Sequence, residues 1–229
     1  PEQEFLYVAP PNGQNASVRG LVMRALVVSD IHGNLPALSA ALSIPHDVLI
    51  SLGDLVGYGP APADCVALVR DAAALSVRGN HDHAFGTGAD PRASARFRWL
   101  AAVTTPIADA QLSASDRRYL ADLPKWGFLK VDGVQFVCVH ATPRDPLYAY
   151  LGPDAESWKD RVQGIAADAI LVGHTHLPFR LDLGDRVVVN PGSLGQPKDG
   201  EPRAAYALID DGRVTLHRVA YDVEATVAQ

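Results

Sequence analysis

Five short apolar runs in this chain stop at the same kinds of residue: aspartate, asparagine or histidine. Residues 24–29 run into Asp30 and His32, and residues 47–52 into Gly53 and Asp54. Residues 75–78 run into Gly79, Asn80 and His81, and residues 134–139 into His140. Residues 169–172 run into Gly173, His174, Thr175 and His176. The runs are short and rich in β-branched residues, which suits buried strands. Helical patterns separate the first three: 35–43, where Asn34 and Pro36 suit a helix start, and 61–74. Strand alternating with helix predicts βαβ units and a parallel sheet. In such sheets ligands bind beyond the carboxyl ends of the strands, where these polar residues fall. Six of the eight histidines (32, 81, 83, 140, 174 and 176) lie in these junctions, a clustering that random placement does not give.

The rest of the chain reads differently. Segment 84–125 is polar and arginine-bearing, with helix-like patches at 93–102 and 115–123; Ser113 and Asp116 are spaced as a capping box. Residues 126–131 and 134–139 predict a hairpin across Asp132-Gly133, and 204–209 with 213–219 predict another across Asp211-Gly212. Residues 154–163 read as a helix and 187–189 as a strand ending at Asn190. Two sheets face to face with helices outside would bury all of these apolar faces. Residues 1–22 contain Pro10-Pro11-Asn12-Gly13 and no periodicity. They read as an extension or expression remnant outside a single domain spanning 23–229, and they lack the apolar centre of a signal peptide.

The ligand types define the chemistry. Imidazole, carboxylate and amide oxygen without thiolate suit first-row divalent ions: manganese, iron, zinc, nickel or cobalt. Asp30, His32, Asp54, Asn80, His140, His174 and His176 are too many for one tetrahedral ion. They suit two ions bridged by one carboxylate, an arrangement that serves in-line displacement at phosphorus. A formal count leaves such a site positive, because two divalent ions outweigh Asp30, Asp54 and one hydroxide. A small phosphate ester can therefore enter. The net charge of -6 gives no basic footprint for extended nucleic acid, so a nucleic-acid partner is expected only as a small nucleotide. No apolar run reaches the roughly 18–20 residues of a membrane span. Cys65 and Cys138 form no CxxC and no disulfide framework, which fits a reducing, cytoplasmic setting.

Asp30-Ile31-His32, Gly53-Asp54, Gly79-Asn80-His81-Asp82, His140 and Gly173-His174-Thr175-His176 together resemble the calcineurin-like metallophosphoesterase superfamily, in its small prokaryotic phosphodiesterase and phosphatase branch. The resemblance spans 24–193 and includes the Asn-Pro-Gly-Ser run at 190–193. It implies a four-layer α/β/β/α sandwich of two mixed sheets with a dinuclear centre. By it, Asp30, His32 and His176 hold one metal, Asn80, His140 and His174 hold the other, and Asp54 bridges. Manganese is the first expectation, with iron, zinc, nickel and cobalt as alternatives. Hydrolysis by attack of a metal-bound hydroxide is implied, with Asp54 and His81 catalytic and Asn80 and His81 touching the phosphate. A phosphodiester is the first substrate choice and a monoester the second. Phosphoprotein phosphatases carry Gly-Asp-x-Val-Asp-Arg-Gly; here Gly57 and Tyr58 replace the second Asp and the Arg, which argues against that activity and leaves His81 without a known carboxylate partner. A non-catalytic scaffold on the same fold is the rival from another class.

Tyr58, Arg144 and Tyr148 are expected to line the substrate cleft, because they follow Asp54 and His140 closely. Arg92, Arg96, Arg98, Arg117 and Arg118 could face an anionic substrate, but a solvated helical face is the preferred reading. His46 and His217 read as structural, His83 as solvated or adjacent to the ligands, and Cys138 as a small core residue.

Overall fold

The computed structural model describes residues 6–7 and 23–228. The first half contains β1 (Leu6–Tyr7), β2 (Ala25–Val28), α1 (Leu35–Leu42), β3 (Val48–Ser51), α2 (Pro62–Ala72), β4 (Ala73–Ser76), α3 (Asn80–Thr87), α4 (Arg98–Gln111) and α5 (Ala114–Asp122). The second half contains β5 (Trp126–Val131), β6 (Val134–Val139), α6 (Ala155–Val162), β7 (Ala169–Leu171), β8 (Phe179–Asp182), β9 (Val187–Asn190), β10 (Ala204–Asp210), β11 (Arg213–Val219) and α7 (Val223–Val227).

Two sheets result. One has the order β11-β10-β2-β3-β4, the other β1-β5-β6-β7-β9-β8. Strands β2, β3 and β4 are mutually parallel, as are β6, β7 and β9; the β5–β6 and β10–β11 hairpins are antiparallel. Period-2 alternation assigns the faces. In β2, Ala25 and Val27 join Ile50, Phe136, Cys138 and Leu171 in the core between the sheets, while Leu26 and Val28 face α1, α2, α4 and α5. In β6, Phe136 and Cys138 point inward, and Val137 and Val139 pack against Trp158 and Val162 of α6. Helix, sheet, sheet, helix is the expected four-layer sandwich. Its central strands β2, β3, β6 and β7 are buried on both faces, which is why they read as unbroken apolar runs.

Several elements depart from expectation. The third strand is 73–76 rather than 75–78. Helix α4 covers Arg98–Gln111 rather than 93–102. Its buried face is carried by Thr104, Ala108 and then Leu112, while Trp99 (66% exposed) and Val103 (61%) are apolar on the opposite face, and Pro106 interrupts the pattern. Helix α3 has almost no apolar stripe and starts instead on Asp82, whose carboxylate accepts the Gly79 N–H at 2.9 Å. Strand β8 and helix α7 were not expected. Residues 1–22 are expected outside the domain, yet Leu6–Tyr7 pairs parallel with β5, Leu6 opposite Leu129; the remainder of that segment lies outside the described residues. No helix among the described residues is long and apolar enough to cross a membrane.

Candidate metal centre

The loops after β2, β3, β6 and β7 continue as a hydrogen-bonded lattice. Asp30 N–H donates to Gly53 O at 3.0 Å, His32 N–H to Asp54 O at 2.9 Å, and Gly173 N–H to His140 O at 2.7 Å. Leu194 N–H to Ser29 O ties the two sheets together. Asp30, His32, Asp54, His174 and His176 all have left-handed φ between 49° and 65°. Such φ values cost non-glycine residues about 1–3 kcal/mol each, and aspartate and histidine tolerate them better than most. The turns re-aim each side chain from its strand end toward one point. Two glycines make room. A Cβ on Gly79 would fall onto Asp54 Oδ1, and one on Gly57, at φ +88°, would lie 2.6 Å from His81 Nδ1.

Three imidazoles are fixed in the same way. His32 Nδ1 lies 3.1 Å from Val56 O, His140 Nδ1 2.8 Å from Leu52 O, and His176 Nδ1 2.7 Å from Gln196 O. A carbonyl only accepts, so each Nδ1 carries a hydrogen and each Nε2 is the ring atom turned into the site. Backbone carbonyls orient metal-binding histidines in this manner. Nε2 of His32 then faces Nε2 of His176 at 3.2 Å, with Asp30 Oδ1 at 3.9 and 3.3 Å from them. Asp30 Oδ1 is buried without a hydrogen-bond partner, although Oδ2 accepts from Ser29 Oγ and the His174 N–H. Two lone pairs and an orphaned carboxylate oxygen converging in a buried pocket repel one another unless a cation sits among them. A second convergence lies beside it: His140 Nε2 is 3.0 Å from Asn80 Oδ1 and 3.4 Å from Asp54 Oδ2. Asp54 Oδ2 is also 3.8 Å from His32 Nε2. Asp30, His32 and His176 lie close enough to share an ion, as do Asp54, His140 and His174. The residues therefore fit divalent metal ions.

The electrostatics agree. Burial raises the Asp30 carboxyl to about 6. Burial would also raise Asp54, but the imidazoles of His140 and His81 hold it well below the usual carboxylate range. Burial opposes charge on His140, yet Asp54 and Asp30 push it up to about 9, so a proton there stands in for a cation. Burial lowers His32 and His174 to about 3 and His176 well below its ordinary value, leaving their lone pairs free at neutral pH.

His81 projects from the start of α3 with its N–H on Asp54 Oδ1 at 2.9 Å, and its ring packs 4.7 Å from Tyr58 and 5.1 Å from His32. Burial keeps it neutral at pH 7. Its neighbour Asp82 does not serve as its partner. That carboxylate instead accepts the N–H groups of Asp54 and Leu55, both at 2.8 Å, as well as Gly79. Asn190 braces the other side: its amide donates to Gly173 O and Thr175 Oγ1. A cleft of about 290 Å³ opens over Asp54, Asn80, His81, His174 and His176, and Tyr58 and Tyr148 line it as expected. Arg144 does not: it is turned to Asp160 of α6, 3.2 Å away on the surface, as an ion pair. Arg92, expected on a solvated helical face, lines the cleft instead, since residues 90–97 precede α4 and fold back over Asn80. Phe97, Tyr150 and Lys198 also line it and were missed. The loop following β9 is the signal that would have found Lys198, by the same strand-end rule that found the ligands.

The calcineurin-like phosphoesterase superfamily domain matches residues 23–212. An uncharacterized protein of Methanocaldococcus jannaschii is 34% identical over 223 residues, covering 86% of this chain and 88% of that protein. The phosphodiesterase YfcE of Escherichia coli is 25% identical over 91% of this chain and 97% of its own length. The crystal structure of a metallophosphoesterase from Sphaerobacter thermophilus superposes with a TM-score of 0.78 at 36% identity, covering 91% of this chain and 92% of that one. The chain therefore belongs to the calcineurin-like phosphoesterase superfamily, and it is a metal-dependent phosphoester hydrolase.

Proposed function

We propose that the protein is a dinuclear phosphohydrolase that cleaves small phosphodiesters, with phosphomonoesters as weaker substrates. Asp30, His32 and His176 would hold one ion and Asn80, His140 and His174 the other. The observation that carries this is the position of Asp54 Oδ2, within 3.4 Å of His140 and 3.8 Å of His32, between the two convergences. Manganese is the first candidate; iron, zinc, nickel and cobalt satisfy the same donors, and availability decides among them. Bound there, divalent ions supply Lewis-acid activation of water and neutralise charge on the phosphoryl oxygens.

The chain's own residues supply the rest. His81, neutral and packed on Tyr58, donates its ring N–H to the phosphoryl or departing oxygen. Asp82 holds the Asp54 loop rigid, and the orienting carbonyls fix the imidazoles before substrate arrives, so little reorganisation accompanies reaction. Gly57 and Tyr58 stand where phosphoprotein phosphatases carry Asp and Arg, which favours a small ester over a phosphoprotein. The buried free thiols of Cys65 and Cys138 support a reducing, cytoplasmic setting.

The test is metal analysis of the purified protein with turnover of bis-p-nitrophenyl phosphate against p-nitrophenyl phosphate. Two equivalents of metal and faster diester hydrolysis are expected. Full loading with no turnover of either ester would favour the scaffold. A single equivalent at saturation would eliminate the dinuclear assignment.

A further inference from the structure

Two cations in the cleft have no carboxylate within ion-pair distance. Seven arginines elsewhere have carboxylate partners: Arg24, Arg70, Arg117, Arg144, Arg186, Arg203 and Arg218. Several other surface cations are unpaired too, but among the described residues Arg92 and Lys198 are the unpaired cations that line the cleft, Lys198 near enough to Asp30 and Asp54 to feel their charge. Each rests on an aromatic ring instead, Arg92 at 4.1 Å from the Tyr148 centroid and Lys198 Nζ at 4.8 Å from that of Phe97. A ring face holds a cation in place without cancelling its charge.

Their placement is keyed to the metal ligands. Asn80 Nδ2 donates to Pro91 O at 2.7 Å, and Arg92 is the next residue. His176 Nδ1 donates to Gln196 O at 2.7 Å, and Lys198 follows two residues later. Arg92 has a left-handed φ of 55°, a conformation that persists in a non-glycine residue only where its surroundings impose it. The two divalent ions that this ligand set would hold already supply the positive charge that one phosphoryl group requires. Two more free cations in the same cleft have no counterpart in a substrate with a single phosphate.

We infer that Arg92 and Lys198 hold a second phosphate, so that the site takes substrates with two or more phosphates in series. This rests on the hydrolase reading above and names its substrate class. The phosphorus to be attacked lies at the ligand set; the next phosphate lies against the Arg92 fork and the Lys198 point charge. Hydrolysis uses one water. Its oxygen bonds the attacked phosphorus, the bond from that phosphorus to the departing oxygen breaks, and the proton goes to the departing oxygen or to solvent.

The experiment is calorimetric titration of the metal-loaded protein, with free metal in excess, using AMP and hydrolysis-resistant α,β-methylene ADP. The two share a nucleoside and differ by one phosphate. The diphosphate analogue should bind about tenfold tighter or more. Arg92→Gln and Lys198→Gln should each collapse that ratio, Arg92→Lys should keep only part of it because a fork contact is lost, and Lys198→Arg should keep most of it, which separates charge from fold. Equal affinities in the wild type would overturn the inference. So would a ratio that survives both Gln substitutions, or an equal loss for both ligands, which would place the cations on the attacked phosphoryl itself. Turnover of bis-p-nitrophenyl phosphate, measured in parallel, separates the two failures. Turnover without diphosphate preference overturns only the second-phosphate inference. Absent turnover at full metal loading overturns the hydrolase reading, and the affinity ratio still decides the role of Arg92 and Lys198.

Discussion

Asp82 shows how one side chain can carry a site it does not touch. Its two oxygens accept three backbone N–H groups, from Asp54, Leu55 and Gly79. Removing it strands three buried donors, each costing about 1–3 kcal/mol. Asp82→Ala is expected to lose about 3 kcal/mol or more in urea unfolding and about 10- to 100-fold in metal affinity by titration; wild-type values in both would refute the bracing role. Gly57 is the converse, a missing side chain that matters. Gly57→Ala places a methyl 2.6 Å from His81 Nδ1 at a left-handed φ. The expected outcome is a kcat at least about tenfold lower with metal content retained, because His81 moves and the ligands do not. Unchanged kcat would free His81 from the chemistry. At this scale the sequence identifies ligand types well, since aspartate, asparagine and histidine are chemically distinctive. It misassigns Arg144 and misses Lys198, because whether a long cationic side chain faces a cleft or a surface carboxylate depends on neighbours far away in sequence.

Among the elements, legibility follows the strength of the local periodicity. Strands β2, β3, β6 and β7 are buried on both faces and announce themselves as apolar runs. The β5–β6 and β10–β11 hairpins are announced by Asp-Gly turns, with φ of 49° at Asp132 and 51° at Asp211. Helix α5 is announced by its cap: Ser113 Oγ accepts the Asp116 N–H at 3.2 Å, and Asp116 accepts the Ser113 N–H at 3.0 Å. Ser113→Ala should therefore cost about 1 kcal/mol in chemical denaturation without altering metal stoichiometry; a loss of metal would mean that α5 positions the ligands more directly than its contacts indicate. Helix α3 was hidden and α4 only partly legible, for opposite reasons. The first lacks an apolar stripe because its residues serve the site. The second carries apolar residues on both faces. Strand β8 reads FRLD, with only Phe179 buried, too short to declare itself.

Across the whole molecule, the metal site couples folding to pH. Burial lowers His32 and His174 to about 3 in the folded chain and holds His176 well below its ordinary value of 6.5. As pH falls below 6.5 the unfolded chain takes up protons that the folded chain refuses, so stability is lost on acidification. His140 and Asp30 have the opposite sign. The folded chain holds the His140 proton up to about 9 and the Asp30 proton up to about 6, so their contributions are lost as pH rises through those values. Metal-free protein should be most stable near pH 6.5, with melting temperature falling on both sides; a monotonic profile would contradict these assignments. Because His140 must give up its proton to bind an ion, metal binding at pH 7 should release about one proton, readable as buffer-dependent binding heat. Heat independent of the buffer would place that proton elsewhere. The sequence by itself determined the strand-end rule and the ligand chemistry, because periodicity and residue type are local properties of the chain. Only the tertiary structure decided which groups meet: Asp82 beneath Asp54, Asn190 behind His174, Lys198 over the cleft and Arg144 away from it. Those contacts join segments 15 to more than 100 residues apart, and their geometry is set by how two sheets stack, which no local pattern encodes.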